Sequence, residues 1–115
     1  MYQILISSHF RKQLKAYLKK FPDLKEAIIL ELEKFRKQSS VHLGKGVYKI
    51  RVSIQSLKKG KSGGFRLIVL LVEIEKVLVP LTIYFKGDLE NLSKHELNKH
   101  LTEILFEIKA KNLLN

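Results

Sequence analysis

The chain has 115 residues, with 22 Lys or Arg against 11 Asp or Glu, for a formal net charge of +11 at pH 7. That length bounds it to one domain with a modest single core, and an apolar content of 45% excludes wholesale disorder. The absence of cysteine excludes disulfides, thiolate nucleophiles and cysteine metal sites.

Residues Tyr2–Ile6 alternate as a short strand does, with Tyr2, Ile4 and Ile6 on one side. Ser7 or Ser8 can cap a helix whose apolar stripe is Phe10, Leu14, Tyr17, Leu18 and Phe21. The opposite face of that helix is basic: Arg11, Lys12, Lys15 and Lys19. Phe21-Pro22-Asp23 breaks it, and Asp23 with Glu26 suits a capping box for a second helix bearing Leu24, Ile28, Leu32 and Phe35. The pair reads as an antiparallel helical hairpin. Residues Gln38–Gly46 read as a loop.

From Val47 the apolar period changes from 3.6 to 2. Tyr48, Ile50, Val52 and Ile54 point one way, and Val47, Lys49, Arg51 and Ser53 the other. Gln55–Gly64 is a cationic, glycine-rich loop, followed by a strand at Phe65–Glu73 that is apolar on both sides apart from Arg66. A turn at Ile74–Lys76 leads to a third strand, Val77–Lys86, with Thr82, Tyr84 and Lys86 on one face. Pro80 lies inside that run and cannot donate to a ladder, so an open side or a bulge is expected there. Ser93 and Glu96 form another capping box, before a closing amphipathic helix with Leu97, Leu101, Ile104, Leu105 and Ile108. The predicted fold is α+β, a single domain over residues 1–115. An N-terminal strand and helical hairpin precede an antiparallel β-meander and a C-terminal helix, with the helices on one face of the sheet.

The positive charge is concentrated. Residues 41–66 hold seven basic side chains and no acid, and no acid occurs between Glu33 and Glu73. Solubility alone is the bland reading, but a solvated basic face carries interspersed acids. A segment without them suits a polyanion, and a phosphate backbone is the commonest one. Lys49 and Arg51 lie two apart on one strand, Arg66 opens the next, and Tyr84 and Lys86 share a face of the third. Together they would form an electropositive floor, with Lys45, Lys58, Lys59 and Lys61 as further RNA-binding candidates on the turns. The alternative is a phosphate-binding patch without catalysis.

Other chemistries fail on spacing. His95-Glu96 is followed by His100, five residues from His95 rather than four, so the two rings diverge by roughly 140° on a helix and cannot share one metal. His9 and His42 have no evident partners and read as surface residues. There is no G-x-S-x-G elbow, and the stretch KGKSGG lacks the spacing of a phosphate-binding P-loop. No metal or other cofactor is expected. The longest unbroken apolar run, Leu67–Val72, is far short of the roughly 20 residues of a membrane span. No basic-then-apolar leader opens the chain, so a cytoplasmic protein without membrane contact is expected.

Cations can also catalyse. RNA cleavage by its own 2′-hydroxyl needs that hydroxyl deprotonated, the phosphorane neutralised and the leaving 5′-oxygen protonated. Arginine suits the phosphorane because it keeps its proton. A lysine crowded by like charge titrates lower and can serve as base or acid, and a tyrosine beside it can do the same or stack on a base.

Tyr48-Lys49-Ile50-Arg51-Val52, then GKSGGFRLIVLL, then LTIYFK, in that order, resemble the RelE/ParE superfamily of bacterial toxin–antitoxin toxins, nearest the HigB-like branch. The resemblance is close over residues 44–105 and looser over the helical hairpin. It implies a compact α+β fold, cleavage of messenger RNA in the ribosomal decoding site, and inhibition by a cognate antitoxin. Such antitoxins are commonly encoded next door as helix-turn-helix proteins, and an acidic one suits the +11 charge. Matched residue by residue, Lys49 and Arg51 fall on the basic pair of the catalytic floor. Arg66 falls on the phosphate-stabilising arginine and Lys86 on the basic residue ending the last strand. Gly87 stands where the RelE branch often has arginine, no tyrosine lies beyond Tyr84, and Pro80 stands where leucine is usual. The expected function is a ribosome-dependent mRNA endoribonuclease. A ParE-like gyrase inhibitor and a non-catalytic relative that binds RNA or antitoxin are the alternatives.

Overall fold

The computed structural model describes residues 1–55, 64–87 and 91–114. In chain order they form β1 (Gln3–Ile4), α1 (Ser8–Leu18), α2 (Leu24–Glu33), a 3-10 turn (Lys37–Ser39), β2 (Val41–Gly44), β3 (Val47–Val52), β4 (Phe65–Val72), β5 (Val77–Phe85) and α3 (Lys94–Ala110). The strands make one sheet in the order β1-β5-β4-β3-β2. The β2-β3-β4-β5 neighbours are antiparallel, and β1 pairs parallel with β5.

Local chemistry accounts for most of the boundaries. The Ser7 hydroxyl accepts from Phe10 N at 3.0 Å and starts α1, and Ser93 accepts from Glu96 N at 3.1 Å and starts α3. Asp23 flanks α2, but its backbone is already helical (φ −82°, ψ −1°) and its side chain makes no capping bond, so the expected box does not form. β1 is only two residues long, and Ile4 and Ile6 stay partly exposed.

Two elements differ from the sequence reading. The segment expected to be loop before Val47 contains β2, an edge strand that pairs Val41 with Lys49 and His42 with Tyr48. It turns into β3 through Gly44, Lys45 and Gly46, all at positive φ. Its apolar side chains Val41 and Leu43 are exposed, so it carries no burial pattern to read.

The helices also cover both faces of the sheet rather than one. On the first face Tyr48, Ile50, Val52, Phe65, Leu67 and Val69 pack against Phe10 of α1 and Leu24, Ile28 and Leu32 of α2. On the second, Val47, Ile68, Val77, Val79 and Leu81 pack against Ile104 and Ile108 of α3. The cause is the double-sided apolar character of β4 and β5. A strand apolar on both sides must be covered on both.

Pro80 produces the expected irregularity. Val69 pairs with Pro80 and Ile68 with Thr82, so Leu81 is an extra residue in β5. The Leu81 carbonyl is taken up by α1, where Gln13 Nε2 donates to it at 3.0 Å. Gln13 Oε1 in turn accepts from the Thr82 hydroxyl. The first of those bonds satisfies a backbone carbonyl of the β5 edge beyond the reach of the two-residue β1.

Candidate functional site

The β-ladder brings three of the predicted side chains into one line. Arg51 is directly opposite Arg66, and Arg66 is directly opposite Tyr84. Residues directly opposite share a face, with Cβ atoms about 5 Å apart, so the line crosses three strands in about 10 Å. Lys49 lies in the next row, opposite Ile68, which is opposite Thr82. Lys86 follows β5, and its backbone N–H donates to Gly64 O at 3.0 Å, which continues the ladder by one pair. Alternation puts it on the side of Tyr84.

The bulge decides which face this is. Before it, odd-numbered residues of β5 (Val77, Val79) face α3; after it, the even-numbered Tyr84 does, and Thr82 shares its side by pairing with Ile68. Without the extra residue Tyr84 would turn into the core beneath α1 and α2. The entry to β4 is equally constrained. Gly64 has φ +78°, and a Cβ there would sit 2.7 Å from the Val52 carbonyl oxygen. Glycine is therefore required beside the strand pair that carries Arg51 and Arg66.

The members of the row differ in exposure. Arg51 is exposed and Lys49 half-buried, whereas Arg66 is 7% and Tyr84 5% exposed. Arg66 Nη1 donates to its neighbour's carbonyl, Phe65 O, at 3.3 Å. Burial pushes the Tyr84 hydroxyl above its usual pKa of 10.0, against the opposing influence of Arg66 and of a backbone hydrogen bond with Leu92. At neutral pH that hydroxyl keeps its proton, so it can donate a hydrogen bond or a proton.

Lys45 sits elsewhere. It occupies the β2–β3 turn, and the Val47–Arg51 stretch alone separates it from the row by about 13 Å. Lys58, Lys59 and Lys61 lie outside the described residues.

The half of this face over β5 belongs to α3, which polar contacts fasten to the start of α1. The Glu107 carboxylate accepts from Ser8 N at 2.7 Å and His9 N at 3.2 Å. Lys111 Nζ reaches Ser8 Oγ at 3.0 Å and Glu107 at 3.3 Å. The bond from Ser8 N, above all, holds Glu107 down at a pKa of about 2. His9 is not partnerless: its Nε2 is 2.8 Å from His100 Nδ1. Burial, and secondarily His9, lowers the His100 pKa. His42 is exposed and stacks on Tyr48, with ring centroids 4.7 Å apart. Among the described residues no three His, Cys, Asp or Glu side chains converge on a metal position. Glu107 and the His9–His100 pair escaped the sequence reading because each contact joins positions at least 91 residues apart.

A small, mostly antiparallel sheet, flanked by a helical hairpin and a C-terminal helix and bearing basic side chains in a cross-strand row, defines a compact basic α+β domain. Over residues 3–115 the sequence matches the family described as the RelE toxin of the RelE/RelB toxin–antitoxin system, and the chain belongs to that family. It is thus the toxin member of a toxin–antitoxin pair, which implies a cognate antitoxin. Among solved structures it is similar to a free-state double mutant of the E. coli toxin RelE. The two are 18% identical, with a TM-score of 0.47 over 77% of this chain and 87% of the other. No curated protein sequence matches it significantly. No helix among the described residues is long and apolar enough to cross a membrane.

Proposed function

We propose that this toxin is a ribosome-dependent endoribonuclease, nearest the HigB-like branch, that inhibits translation by cutting messenger RNA through the substrate's own 2′-hydroxyl. The observation that supports it most is the alignment of Arg51, Arg66 and Tyr84 on one face across three adjacent strands. Two arginines at directly opposed positions suit the charge that develops on a phosphorane, where a fixed cation lowers the barrier most. In the proposed reaction the 2′-oxygen attacks phosphorus, its proton passes to a base, and the 5′-oxygen leaves with a proton from an acid. Tyr84, neutral at working pH, suits the acid or a hydrogen bond to the leaving oxygen. Lys49 and Lys86 are the candidates for the base. The antitoxin partner would be acidic, to match +11.

The test is induced expression followed by mapping of transcript ends, with Arg51→Gln as the matched variant. Arg51 is exposed, so its loss leaves the core intact. Removing one transition-state cation should slow cleavage about 100-fold or more. Intact messages in arrested cells would overturn the nuclease reading, and DNA-damage signalling in those cells would point to gyrase instead. Salt-dependent RNA binding without cleavage would identify the non-catalytic relative, a reading favoured by Gly87 after Lys86 and by the lack of a later tyrosine.

A further inference from the structure

β2 accompanies β3 only as far as Lys49. Beyond that point the β3 edge, at Ile50 and Arg51, faces a cleft of about 300 Å³ instead of a strand. Its wall is the end of α2 and the 3-10 turn, which contribute Lys34, Arg36, Ser39 and Ser40; Lys49 and Arg51 line the opposite side. The lining thus includes four basic residues and a single carboxylate, Glu31. Glu31 is 3.6 Å from Lys34 Nζ, a separation that in a largely exposed pair holds the lysine only weakly. The next lysine, Lys37, is engaged outside the cleft by Glu73.

The wall is ordered by its own hydrogen bonds. The Arg36 carbonyl accepts from Ser39 N at 3.1 Å, Ser39 Oγ at 3.3 Å and Ser40 Oγ at 3.1 Å. Those bonds fix the turn that carries the Arg36 side chain, and a guanidinium on a fixed stem loses less freedom when it grips a phosphate. Arg51 belongs both to the cleft and to the row with Arg66, so the two positive regions abut.

We propose that this edge cleft is a second phosphate-binding subsite, in which Lys34 and Arg36 hold the RNA backbone next to the phosphate gripped by Arg51 and Arg66. The proposal rests on the reading of the row as an RNA site and extends it around the sheet edge. An open, strongly cationic cleft continuous with that row fits a chain of phosphates better than a single small anion. A grip one step from the scissile bond would fix the register of the strand without taking part in the chemistry.

The experiment measures the affinity of the whole protein for a short, uncleavable single-stranded RNA, 2′-O-methylated throughout, over a range of salt concentrations. The variants are Lys34→Gln with Arg36→Gln, against Lys12→Gln with Lys19→Gln on the exposed face of α1. Each lost phosphate contact should lessen the slope of log affinity against log salt by about 0.7, so the cleft variant should be shallower by about 1.4 and bind roughly tenfold less tightly at low salt. The α1 variant should stay close to wild type. Equal slopes for the cleft variant and wild type, or equal losses in both variants, would overturn the proposal. Binding that behaves as expected in a protein that leaves messages intact would sink the nuclease reading alone. Cleavage with an unaltered salt slope in the cleft variant would sink the subsite alone.

Discussion

The attachment of α3 to α1 can be tested through one carboxylate. Replacing Glu107 by Gln keeps the size and one acceptor oxygen but removes the charge. The wild-type group accepts two of the first N–H groups of α1, which have no partner inside the helix. Losing charge assistance in the shorter bond costs about 1 kcal/mol, and losing the second bond costs about as much. The helix dipole at that end adds roughly 0.5 kcal/mol. A total of about 2.5 kcal/mol is expected. With an unfolding entropy of about 2.1 cal/mol/K per residue over 115 residues, the midpoint should fall by about 10 °C at pH 7. The pH dependence separates this account from generic damage. The folded pKa of about 2 lies below the ordinary 4.5, so the stabilisation is complete above pH 4.5 and is lost as the pH falls toward 2. Urea titrations of both proteins at pH 7 and pH 3 should show a wide gap at the first and a narrow one at the second. An equal gap at both, or none at pH 7, would refute the capping argument.

Two further outcomes are expected. Because burial and His9 hold the His100 pKa below 6.5, with Lys99 adding to them and Glu96 opposing, the unfolded chain binds more protons just below that pH. Wild-type stability should therefore be full above pH 6.5 and decline as the pH drops through the window beneath it, and His100→Gln should flatten that decline in urea midpoints measured from pH 7.5 downward. Gly64→Ala meets both a left-handed φ and the Val52 carbonyl and should cost about 2 kcal/mol or more, whereas Gly44→Ala has open space and only the φ strain to bear. Equal urea midpoints for these two alanine variants would count against the close approach at Gly64.

The strands that build the row were legible because alternation writes itself into sequence: Lys49 and Arg51 had to share a side, and so did Tyr84 and Lys86. Their alignment across strands was not legible, because register depends on pairing between distant segments and, at Pro80–Leu81, on one residue of slippage. The signal for helices on both faces was present in the double-sided apolar pattern of β4 and β5. The edge strand β2 had no such signal, since Val41 and Leu43 gain little burial by pairing. Arg66 could be assigned to a strand from sequence, but its 7% exposure follows from its packing. The edge cleft depends on where β2 stops and where the turn after α2 lies, and neither is written in a local pattern.

The slip at Leu81 separates two kinds of tolerance in this chain. Exchanging Leu81 for another apolar residue alters packing and leaves the direction of every later β5 side chain unchanged. Removing it would rotate the remainder of the strand by half a turn, trading the tyrosine for Ile83 on the face beneath α3. The make-up of this face thus depends more on the count of residues in β5 than on the identity of the one at the bulge.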